Sequence, residues 1–82
     1  MGVTEDLADE LARDVIKFME ATDGDEQIIA DIKKVLGASS QTAEEAFLTA
    51  IRVRRANIKA RALLVERARE FKARKAGDSP PE

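Results

Sequence analysis

Apolar residues recur along this chain at steps of three and four, the spacing that gathers side chains on one face of an α-helix, in three runs separated by short polar breaks. The first run covers residues 4–21. Leu7, Leu11, Val15 and Phe18 define its face, and Ala8, Ala12 and Met19 widen it. Thr4 is placed to cap this helix, and Glu5 and Asp6 suit the positive end of its dipole. Asp23-Gly24-Asp25 then breaks the pattern, supplying a flexible residue and a new cap. The second run covers residues 26–36 with Ile28, Ile29, Ile32, Val35 and Leu36 on one side, and Gly37 stands where a helix end favours a left-handed residue.

After the polar link Ala38-Ser39-Ser40-Gln41, Thr42 followed three residues later by Glu45 forms a capping box, which predicts a third helix from Ala43. No glycine or proline interrupts residues 43–76, so nothing ends this helix before Gly77. Residues 78–82, with two prolines, cannot continue it and are expected to be a disordered tail. At 1.5 Å per residue the third helix is about 50 Å long, against a radius of gyration near 12 Å expected for a compact domain of this size. Two short helices cannot cover it. It must protrude, bend, or pack against a second chain.

Its apolar arc comprises Phe47, Ala50, Ile51, Ile58, Ala62, Leu64, Val65, Ala68 and Phe71, with both phenylalanines read as core. Arg54, Asn57 and Arg61 fall inside this arc. Polar residues there can set register and oligomeric state, as asparagine does in coiled coils; alternatively they lie at its edge with their stems snorkelling. Leu63 lies on the opposite side. The expected fold is all-α: one domain over residues 1–77, two short helices packed on one long C-terminal helix, assembled as a dimeric helical bundle.

Charge changes the picture more than length does. Residues 1–50 carry twelve acids and four bases, whereas residues 51–82 carry ten bases and four acids, so an overall charge of −2 conceals a strong polarity. The 82 residues include no histidine, cysteine, tyrosine or tryptophan. A chain this short buries only about 60–65% of its unfolded surface, which leaves a monomer marginal. The absence of cysteine fits a reducing compartment. The acidic start lacks the apolar run of a signal peptide, Asp6 stands where a myristoylation motif has serine or threonine, and no stretch reaches the roughly 18 apolar residues of a membrane span. A cytoplasmic protein is expected.

Catalytic chemistry has little to work with. Asp23, Asp25 and Glu26 imitate the start of a calcium loop, but Ile28 occupies the glycine position and Lys34 the glutamate position, so helix capping accounts for them. Ser39, Ser40 and Thr42 have no histidine to activate them, and Lys33-Lys34 follows no glycine-rich loop. Nothing indicates a pocket that would drive paired carboxylates apart in pKa. No catalytic residue, metal ligand, cofactor or small-molecule substrate is inferred.

The basic run is more substantial. Arg52, Arg54, Arg55, Lys59, Arg61, Arg67, Arg69, Lys72, Arg74 and Lys75 share one helix with only Glu66 and Glu70. Such a row can neutralise phosphates of DNA or RNA, or meet an acidic protein or membrane surface. It can equally be a solvated face, with Glu66 and Glu70 pairing locally with Arg69, or meet the acidic first half folded back on it or supplied by a second chain. With no aromatic free for base stacking, single-stranded readout is disfavoured.

Val35-Leu36-Gly37, the Ser39-Ser40-Gln41-Thr42 link, Ala46, Ala50-Ile51-Arg52 and Arg54-Arg55 together resemble the two-helix part of bacterial ribbon-helix-helix antitoxins of the VapB type, over about residues 27–69. That family reads DNA with a β-strand directly before these helices. Here the corresponding stretch, residues 17–24, has helical spacing upstream and acids at its end, with a strand over residues 15–19 the second choice. The resemblance therefore implies dimerisation through the helices and a C-terminal extension that grips a partner, and names no base-contacting residue.

The function expected is a non-enzymatic protein-interaction or regulatory module, homodimeric through Phe47, Ile51, Ile58, Leu64 and Val65, with register set by Arg54, Asn57 and Arg61. Arg67, Arg69, Lys72, Arg74 and Lys75 offer a basic surface to an acidic partner. The alternative is a DNA-binding regulator or antitoxin.

Overall fold

A computed structural model describes residues 2–77 and contains three α-helices: α1 (Val3–Ala21), α2 (Gln27–Ser39) and α3 (Gln41–Gly77). No strand occurs among the described residues, and residues 15–19 lie within α1. The expected tail, residues 78–82, is outside the described residues.

Each helix end shows what local chemistry selects. α1 is capped at Gly2, not at Thr4: the Gly2 N–H donates to the Glu5 carboxylate at 3.1 Å, so the glutamate reaches back without a hydroxyl cap, and Thr4 sits inside the first turn. Its far end closes with Asp23 and Gly24 in the left-handed region (φ 61° and 82°), where the Gly24 N–H donates to the Met19 carbonyl at 2.7 Å. The Asp25 carboxylate then accepts the Gln27 N–H at 3.1 Å, the cap expected for the second helix.

α2 does not stop at Gly37. It runs through that glycine, which keeps a helical backbone, to Ser39. Ser40 alone separates α2 from α3: extended at φ −158°, it donates its N–H to the Leu36 carbonyl at 2.7 Å while its Oγ accepts the Ala43 N–H at 3.1 Å. The serine thus ends one helix and caps the next. The Thr42–Glu45 box is not used, because Ser40 captures the orphan N–H groups first and Thr42 is already inside α3.

The start of α1 (Val3, Leu7) shares a cleft with Ala43, and further along Arg13 and Ile16 lie beside Val53 and Ile58, so α1 runs in the same sense as α3. α2 runs oppositely, with Leu36 at the Ala43 end and Glu26 reaching Arg55. Both short helices pack on the first half of α3 and barely touch each other.

The core joins Ala8, Ala12, Val15 and Met19 of α1 to Phe47 and Ile51 of α3. Two alanines let the α1 backbone approach Phe47, which is fully buried. This rotates the expected α1 face: Leu7 and Phe18 fall on its flank, 60% and 46% exposed. On α2, Ile28, Ile29, Ile32 and Leu36 are half-buried, Val35 is exposed, and no residue is fully buried.

Past Arg55 the chain becomes a rod. Every residue of 56–77 is exposed and the helix is unbroken, so α3 protrudes and does not fold back. The radius of gyration is 18.8 Å and the extents are 67 × 31 × 13 Å, far from the roughly 12 Å radius of a compact chain of this length. Phe71, read as core from the sequence, projects from this arm into solvent.

Candidate interaction surface

Two ion pairs fasten the acidic short helices to α3. Arg54 donates from Nε to Asp9 Oδ1 at 2.6 Å and from Nη2 to Oδ2 at 2.8 Å, and Arg55 pairs with Glu26. The hydrogen-bonded Arg54 guanidinium holds the Asp9 carboxyl below its ordinary value, against a smaller opposing effect of desolvation. The acidic half therefore does fold back on the basic helix, but only as far as Arg55.

That boundary divides the residues expected to form a dimer seam. Phe47 and Ile51 are buried inside the same chain, and Arg54 is half-buried and engaged by Asp9. Asn57 and Arg61 lie just beyond, exposed, with Arg61 Nε donating to Asn57 Oδ1 at 2.9 Å along the helix. Ile58, half exposed, lies beside Arg13 and Ile16 of α1, whereas Leu64 and Val65 are exposed farther along the arm. The polar triplet is thus split, one member used within the fold and two paired with each other on the arm.

Arg67, Arg69, Lys72, Arg74 and Lys75 are all exposed on the arm. Arg67 lies 3.9 Å from Glu70, so the local pairing expected for Arg69 involves Arg67, and the Lys75 ammonium lies 6.0 Å from the Phe71 ring centroid. Both contacts are solvent-exposed and weak. Over residues 56–77 seven bases face two acids. Leu63, expected on the outer side, is half exposed.

The acids that imitated a calcium loop have other work. Asp23 occupies the left-handed turn, Asp25 caps α2 and Glu26 holds Arg55. Among the described residues no group of three or more acids converges to hold a metal ion, and no helix is long and apolar enough to cross a membrane.

One feature escaped the sequence reading. Val3, Leu7 and Leu11 of α1, with Leu36 and Ala43, line an apolar cleft of about 220 Å³ on the head. The signal was present in α1, whose Ala8–Ala12–Val15–Met19 and Val3–Leu7–Leu11–Phe18 stripes give it more apolar surface than a single neighbouring helix covers.

Comparison of the chain with protein-family models, with curated proteins and with solved structures gave no match in any of the three.

Proposed function

We propose that this chain is a non-enzymatic, self-associating protein-interaction module whose binding element is the projecting arm of α3. One observation carries the reading: residues 56–77 form an uninterrupted helix with no covered residue, yet hold Ile58 at 49%, Leu64 at 66%, Val65 at 49% and Phe71 at 57% exposure. Soluble chains leave so much apolar surface on one helix when it is destined for a partner. The basic side chains of the arm favour an acidic partner surface, and the acidic head of a second copy supplies one. Sedimentation equilibrium over a range of concentrations tests the self-association, with a reversible dimer expected. A strictly monomeric chain at the highest attainable concentration contradicts it.

A DNA-binding regulator or antitoxin is the second reading, favoured by the seven bases along the arm. With no strand among the described residues, the strand-based base reading of ribbon-helix-helix proteins has no counterpart there, and phosphate contact would fall to α3. Fluorescence anisotropy of duplex DNA at low and physiological salt separates the readings. Tight binding that weakens steeply with salt supports the regulator, and no binding at low salt removes it.

A further inference from the structure

We propose that the cleft between α1 and α2 receives the α3 arm of a second copy, so that two chains exchange arms and each head becomes a four-helix bundle. This rests on the self-association just described and specifies its geometry.

The head has an empty helical position. α1 and α2 each lie on α3 but scarcely on each other, and Val3, Leu7 and Leu11 of α1 with Leu36 of α2 line a cleft that reaches Ala43 of α3. Val3 at 75%, Leu7 at 60%, Phe18 at 46% and Val35 at 68% exposure mark the flanks of these two helices as unfinished. A fourth amphipathic helix is the usual way such a layer is completed.

The chain cannot fill this position itself. Its arm leaves the head as the straight continuation of α3, with no glycine or proline between Ala43 and Ala76 to turn it back. A second copy can. Ile58, two turns after Ile51, and then Ala62 and Val65 at steps of four and three lie on the same side of α3 as Phe47 and Ile51, which already pack against the first head. The same face of α3 therefore meets its own α1–α2 layer near one end and the layer of a second head near the other. In a two-fold arrangement the two α3 rods run antiparallel, one on each side of two stacked layers. The lengths agree: the 22 residues of 56–77 span about 33 Å, and the 19 residues of α1 about 28 Å.

Charge selects the same occupant. Glu10 and Asp14 border the Leu7–Leu11–Phe18 flank of α1, and Asp31 lies four residues before Val35 on α2. An arm with seven bases and two acids complements those banks. Pairing two arms with each other would set like charges side by side instead.

The test uses full-length Leu7→Asp and Val65→Asp chains in analytical ultracentrifugation, alone and mixed. Both positions are exposed, so circular dichroism should show wild-type helicity in each monomer. Arm exchange requires that each variant alone raise the dimer dissociation constant by about tenfold or more, since each damages both contacts. An equimolar mixture should recover dimer in part, because the Leu7→Asp arm and the Val65→Asp cleft are both intact. A dimer lost with Val65→Asp but untouched by Leu7→Asp overturns the exchange and leaves self-association through the arms standing. Failure of the mixture to exceed either variant alone also overturns the exchange. A monomeric wild type overturns both readings.

Discussion

Arg54 of α3 grips both carboxylate oxygens of Asp9 of α1, 45 residues away in sequence, through hydrogen bonds of 2.6 and 2.8 Å. This fork sits where α3 leaves the head, and with the Arg55–Glu26 pair it fixes the short helices against the base of the arm.

Because the fork lowers the Asp9 pKa from its ordinary 3.8, the folded state binds that proton less readily than the unfolded chain does. Its stabilising contribution is complete above the ordinary value and is lost as pH falls through the lowered one. Asp9→Asn should therefore melt slightly below wild type at neutral pH, with the difference vanishing in strong acid. The difference should also shrink as salt is added, since both side chains are substantially exposed. Thermal melts across pH and ionic strength check all three outcomes.

Gly37→Ala gives a test of sign. A left-handed glycine at a helix end would make alanine destabilising by about 1 kcal/mol, whereas a glycine inside a helix makes it stabilising by about 0.5–1 kcal/mol. Gly37 has a helical backbone, and an added Cβ would run into the carboxylate of Glu44, which must swing aside on its flexible side chain. Urea denaturation should show the gain.

Ser40 and Thr42 should behave oppositely to what the capping-box pattern suggests. Ser40→Ala removes the oxygen that accepts the Ala43 N–H and should cost about 1 kcal/mol. Thr42→Ala, at an exposed position within the helix, should change stability by less than about 0.5 kcal/mol. Chemical denaturation of the two variants side by side decides which residue caps α3.

The two phenylalanines of α3 should also separate. Phe47→Ala empties a fully buried site and should cost about 3–5 kcal/mol, most of the stability of a head this small. Phe71→Ala, on the arm, should leave monomer stability within about 0.5 kcal/mol while weakening self-association. Melts at low concentration read the first effect, and sedimentation reads the second.

The helices themselves were legible from spacing and punctuation, because three- and four-residue periodicity and the Asp23-Gly24-Asp25 break are local properties. Helix ends were less so, since Ser40 and Thr42 compete for the same backbone donors and only the folded chain shows which is reached first. The inward face of α1 was misjudged by size: Leu7 and Phe18 are the larger apolar residues, but Ala8 and Ala12 permit the closer contact with Phe47. On α3, one continuous apolar arc carried no mark of where intramolecular cover stops. That boundary depends on the lengths of α1 and α2 and is set in space by Asp9 and Glu26.

The unbroken passage of α3 from head to arm also bears on helix–coil equilibrium. Starting a helix in water is unfavourable by a factor of about a thousand, whereas extending an existing helix adds one hydrogen bond per residue ordered. The head supplies the nucleus. The arm therefore forms by propagation from Arg55 outward and frays from Gly77 inward. Anything that melts the head removes the arm's template as well, so the shape the arm presents to a partner lasts only as long as the head is folded.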